Sequence, residues 1–195
     1  MDKRNFMATA VLGASTFPTL ARASAPVKGG GPALLTVTGA IGKGNRGGVD
    51  ADLDQMMVKQ KIAFDKAHAF DFAALAALPA VTIKPTLEYG NKVHTLQGPL
   101  LADVLKAAGA NPADGVKLTM RAVDGYSPTL SAADMRKYRF IVATHLDGKP
   151  MPLGGLGPLW AVYEPDRFPE WAAKKVNERF AQCPWGLYHI DVPQA

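Results

Sequence analysis

Beyond residue 33, every apolar periodic segment of this 195-residue chain is short. Strand-like and helix-like segments are interspersed without a fixed period. Glycine and proline (19 and 15 residues) punctuate them, because glycine permits left-handed turns and proline ends both helices and central strands. A doubly wound fold would need strands and helices in regular alternation. The pattern instead predicts one mixed α+β domain, a curved sheet packed by short helices.

Strands are expected over Leu34–Thr38, Val81–Ile83, Lys92–Leu96, Val116–Ala122, Phe140–His145, Leu159–Tyr163 and Leu187–Val192;. Helices are expected over Asp52–Lys61, Asp71–Ala77, Leu100–Ala108 and Glu170–Phe180;. The clearest is Leu100–Ala108, with Leu100, Leu101, Val104 and Leu105 on one face and Gly109 as its cap;. Ser131, with Asp134 three residues on, starts a helical turn to Lys137;. There is no internal repeat and no composition break to mark a second domain.

The first 23 residues have the form of an export signal. Lys3 and Arg4 precede an uncharged apolar run from Met7 to Leu20, and Ala21-Arg22-Ala23 is a cleavage site of the A-x-A kind;. The run is too short to span a bilayer. Lys3-Arg4-Asn5-Phe6-Met7 is a weak twin-arginine-like signal, so both general and twin-arginine export fit;. Residues 24–33 then read as a flexible leader, 34–195 as the domain, and the location as periplasmic. The formal charge of +5 includes three basic residues and one acidic residue within 1–23. The remaining +3 is not clustered, which excludes a nucleic-acid-binding face. The single cysteine, Cys183, beside Pro184 and Trp185, reads as a small buried hydrophobe;.

The most distinctive stretch is Lys149-Pro150-Met151-Pro152-Leu153-Gly154-Gly155-Leu156-Gly157-Pro158-Leu159-Trp160. A glycine loop beside a large aromatic suits a flat, polar-edged heterocycle; it equally suits a tight turn feeding a core strand. Gly42–Gly48 superficially resembles a phosphate loop but lacks the Gly-Lys-Ser/Thr ending;. His68, His94, His145 and His189 have no metal-ligand spacing and read as surface or satisfied structural residues;. No nucleophile elbow is present.

Taken in order, several segments resemble the sulfite-oxidase-type molybdopterin-binding domain in its small, stand-alone, secreted form. They are Leu34–Gly39, Phe70–Pro79, Gly98-Pro99-Leu100-Leu101 through Ala110, Val123-Asp124-Gly125-Tyr126-Ser127, Leu146–Met151, Gly157-Pro158-Leu159-Trp160 and Trp185–Val192. The resemblance implies a single-domain sulfite-oxidase-like α+β fold. In that family one cysteine thiolate holds molybdenum, and the matching stretch here, Ile83–Asn91, has no cysteine. No molybdenum is therefore expected.

The chain looks most like periplasmic pterin-binding relatives that control membrane-bound diguanylate cyclases. The expected ligand is a reduced pterin or molybdopterin-like molecule, bound without catalysis. The alternative is a molybdopterin-dependent oxidoreductase with an atypical or absent protein metal ligand. Asn45 and Arg46 occupy the place of a family pterin contact after the first strand. Glu88, Asp124 and Arg121 are candidates for the ring's donor–acceptor edge. Tyr89, Tyr126 and Trp160 are candidates for stacking on its face. Ser127, Gly155 and Gly157 lie in segments that line the family's pocket. Each acid reads equally as a solvated turn residue, and Trp160 equally as core filling.

Overall fold

The computed structural model describes residues 30–194. The expected export signal and most of the expected leader lie outside the described residues. Twelve strands are present among them. The first six are β1 (Leu35–Gly39), β2 (Arg46–Gly47), β3 (Lys66–Phe70), β4 (Ala80–Ile83), β5 (Leu96–Pro99) and β6 (Lys117–Ala122). The rest are β7 (Thr129–Ser131), β8 (Ile141–Ala143), β9 (His145–Leu146), β10 (Lys149–Pro150), β11 (Trp160–Val162) and β12 (Leu187–Val192). Five short helices accompany them: α1 (Gln55–Lys59), α2 (Phe72–Ala76), α3 (Leu101–Ala107), α4 (Ala132–Lys137) and α5 (Pro169–Ala172).

Three sheets result. The largest has the order β2-β3-β1-β12-β6-β7; the others are β10-β9-β5-β4 and β11-β8. Strand β12 lies at the middle of the largest sheet, parallel to β1 and antiparallel to β6. It is covered on both faces: Leu187, Tyr188, His189, Ile190 and Val192 are all buried, as a central strand requires. A register shift between Leu187 and His189 bends it;. On β6 the burial alternates, Leu118, Met120 and Ala122 in, Lys117, Thr119 and Arg121 out;. Leu118 and Met120 join Leu101, Val104 and Leu105 of α3 in one continuous core.

The helix ends obey local chemistry. Ser131 accepts from the Asp134 amide at 2.9 Å and donates to its carboxylate at 2.7 Å, closing the first turn of α4. Asp71 likewise accepts from the Ala74 amide at the start of α2, 2.7 Å away. Gly109 ends α3 at φ +76°, and a side chain there would strike Gly42.

The structure corrects three expectations. The strand returning to β4 is Leu96–Pro99 and not Lys92–Leu96. Its start is set by Asp147, which takes the Thr95 amide and His94 Nδ1. The helix expected over Glu170–Phe180 is only the single turn α5 followed by a separate 3-10 turn, Val176–Glu178. The Arg179 side chain binds the Ala172 and Lys174 carbonyls there, supplying from a side chain the donors a continuing helix would have provided;. Strand β3 had no signal, because its inward residues Ala67 and Ala69 are too small to mark an apolar face;.

Candidate functional site

Three loops, with Val123 from the turn after β6, converge on one cleft of about 420 Å³. The β4–β5 connection brings Tyr89, the β10–β11 loop brings Leu153–Gly157, and the segment before β12 brings Trp185. Backbone hydrogen bonds tie two of the three together: Gly186 donates to Leu156 and Val123 donates to Gly186. Gly157 is required by packing, since a Cβ there would lie 2.5 Å from the Met151 backbone. Gly154 takes φ +94° with open space around it. The lining is mainly apolar and aromatic, with Tyr89 49% and Leu153 72% exposed.

Glu88 is half-buried beside this cleft. Partial burial and the Glu88 charge hold the Tyr89 hydroxyl above its ordinary pKa, so it is a neutral hydrogen-bonding group;. Cys183 is 4% exposed, its thiol pushed up by burial and kept neutral;.

Of the residues singled out in the sequence, Tyr89, Gly155 and Gly157 line this cleft and Glu88 adjoins it. Trp160 does not. Its ring is 1% exposed, its Nε1–H donates to the Cys183 carbonyl at 2.9 Å, and it packs against Phe180. The expected stacking on a ligand is therefore corrected to core filling. Trp185, next in the chain to Cys183 and Pro184, stands at the cleft instead. Its sequence position, beside Cys183 and Pro184 and ahead of the final strand, suggests apolar packing and carries no mark of a cleft residue.

Asp124 accepts from the Tyr126 amide at 2.9 Å and closes a turn in which Gly125 has φ +93°;. It lies beside Val123 of the cleft but is a turn residue first. Tyr126 and Ser127 are exposed on the same turn, and the Tyr126 hydroxyl donates to the Ala181 carbonyl. Asn45 and Arg46 are committed elsewhere. The Asn45 amide pairs with both backbone groups of Ala69, at 2.9 and 2.7 Å. Arg46 pairs with Asp54 and lies over the Phe64 ring.

Arg121 belongs to a partly buried chain of polar groups across three neighbouring strands. Its guanidinium reaches His189 Nδ1 at 3.1 Å; His189 Nε2 faces Thr38 Oγ1 at 3.0 Å; Thr38 donates to Asp191 at 2.9 Å. Arginine can only donate, so Nδ1 accepts and Nε2 carries the proton. Burial and the adjacent guanidinium lower the His189 pKa to about 4;. His189 is thus a neutral structural histidine.

No family model and no curated protein matches the chain. Among solved structures it is similar to the sulfane dehydrogenase SoxCD from Paracoccus pantotrophus. The TM-score is 0.54 and the identity 12%, over 83% of this chain and 38% of that one. The likeness is one of fold: the domain is the sulfite-oxidase-like α+β architecture that the order of its segments implied. This chain spans well under half the length of that neighbour.

Among the described residues, no accessible thiolate is available to a metal–pterin group. The one thiol is sealed in the core and protonated, whereas a soft metal centre needs an accessible thiolate. No three His, Cys, Asp or Glu side chains gather into a metal site among the described residues. The Tyr89–Trp185 cleft offers aromatic groups and open backbone;.

Proposed function

We propose that this chain is an exported, non-catalytic protein that binds a reduced pterin or related flat heterocycle in the Tyr89–Trp185 cleft. Its ligand state is passed to a membrane-bound regulator such as a diguanylate cyclase. The observation that carries the reading is the convergence of Tyr89, the Gly154–Gly157 loop and Trp185 on one cleft. Tyr89 and Trp185 supply the stacking surfaces and the Glu88 carboxylate the acceptor for the ring's amino edge. The backbone of the glycine loop supplies close polar contacts.

Titration calorimetry and pterin fluorescence test the reading directly. Metal-free protein is expected to bind a reduced pterin with micromolar affinity, about 8 kcal/mol. Tyr89→Ala and Trp185→Ala each weaken it by about 1–3 kcal/mol. Glu88→Gln weakens it as well, since an amide cannot accept both ring donors. Absence of any heat or fluorescence change in wild type sinks the reading. N-terminal sequencing of periplasmic material, expected to begin at Ser24, tests export, and intact Met1 in a cytoplasmic pool overturns it. The alternative of a molybdopterin-dependent oxidoreductase requires bound molybdenum in protein purified from its own periplasm, so metal analysis separates the two.

A further inference from the structure

A second cavity, of about 530 Å³, lies elsewhere in the fold. It opens between β4, the end of α4 and the 3-10 turn Pro165–Arg167. Val81, Ile83, Tyr138 and Phe168 form its apolar part. Beneath it lies an aromatic cluster in which the Tyr138 ring meets Phe168 edge-on at 4.9 Å and Trp171 at 6.0 Å. The charged part is three cations to one carboxylate: Lys137, Arg139 and Arg167 against Glu164.

These cations are not equally engaged. Lys137 is held by Glu170 at 2.8 Å and by the Tyr138 hydroxyl at 3.1 Å. Arg167 approaches Glu164 only to 3.9 Å, and its side chain is 66% exposed. Arg139 has no hydrogen-bond or ion-pair partner among its side-chain contacts to the described residues. Its backbone sits at φ +54°. The Arg139 amide bonds to Arg136 and the Phe140 amide to Met135, so Arg139 holds the left-handed position that follows a helix, as Gly109 does after α3. A glycine would adopt that conformation without strain; an arginine there retains its side chain against the local backbone preference.

We infer that this cleft binds a small apolar-bodied monocarboxylate, with Arg139 and Arg167 holding the carboxylate and Val81, Ile83, Tyr138 and Phe168 covering the hydrocarbon or aryl body. Guanidinium groups match a carboxylate's geometry, and the volume suits a ligand of this size. A bare inorganic anion would leave the apolar part without a partner. The site is independent of the pterin reading, as it shares no residue with the Tyr89–Trp185 cleft.

The test is an amide-resolved NMR titration of the protein with 3-phenylpropanoate and octanoate. The corresponding amides and acetate serve as controls. Saturable shifts are expected at Ile83, Tyr138 and Phe168, with Kd on the order of 1 mM or tighter for ligands this small. The amides and acetate are expected to bind at least ten-fold more weakly. Arg139→Gly should keep or raise Tm, because it relieves the left-handed backbone, yet weaken the acids about ten-fold; Arg167→Gln should weaken them about five-fold. The inference is overturned if the acids do not saturate or the amides bind equally. It is also overturned if acetate matches the longer acids, if Arg139→Gly folds and binds as wild type, or if the shifts map to Tyr89 and Trp185. A pterin that shifts Tyr89 and Trp185 bears only on the other cleft.

Discussion

Trp160 shows how one residue's role is decided by its surroundings. Next to a glycine-rich loop, its large flat ring fits a ligand plate, but the fold places it where Phe180 and the Cys183 carbonyl already complete its contacts. Trp160→Ala is expected to lose about 3–5 kcal/mol of stability by opening a cavity. Chemical denaturation reads this; a loss under 1 kcal/mol would mean the ring is not core. Gly157 is a second such residue. A methyl group there collides with the Met151 backbone, so Gly157→Ala should lower Tm and loosen the loop beside the cleft. Cys183→Ala is milder, about 1 kcal/mol for a small buried truncation, and should leave pterin binding unchanged.

At the scale of elements, the helices are too short to persist alone, so caps and sheet contacts decide where they lie. Helix α4 is capped on one side by Ser131 and leads at the other into the Arg139 cleft. Ser131→Ala is expected to cost about 1 kcal/mol, visible as earlier hydrogen exchange across Ala132–Lys137. Strand β5 depends on Gly98, where an added Cβ would overlap the Val142 carbonyl of the neighbouring chain segment. Gly98→Ala should therefore be among the most damaging single methyl additions in the protein, and soluble yield with circular dichroism measures it.

Across the whole molecule, the partly buried chain Arg121–His189–Thr38–Asp191 links β6, β12 and β1, the centre of the largest sheet. Tyr188 precedes His189 on its strand and Phe64 stacks near the ring at 6.5 Å. The folded His189 pKa, about 4, lies below the unfolded value of 6.5. The folded state therefore binds fewer protons between those values. Stability is full above about pH 6.5 and falls as pH drops toward 4, by roughly 3 kcal/mol from this residue. Urea midpoints at pH 7.5 and 4.5 check this, with wild type falling more than His189→Gln. A wild-type midpoint that is flat across that interval overturns it.

Some of this was legible in the residues themselves. The α+β class follows from short segments of mixed period. The Leu118–Met120–Ala122 alternation, the Leu101–Val104–Leu105 face and the Ser131 cap are local properties that survive in the fold because local geometry and burial agree. Tyr89 and the Gly154–Gly157 loop were legible as loop residues, as turn and loop chemistry is written in single residues, and the fold brings them to one cleft. What the fold alone decided depends on contacts between residues distant in sequence. It exchanged Trp160 for Trp185 at the cleft and committed Asn45 to Ala69 and Arg121 to His189. Nothing in a linear pattern marks which of two tryptophans is enclosed. That depends on which loops close over it, and here β10–β11, β4–β5 and the approach to β12 meet only once the sheets are formed.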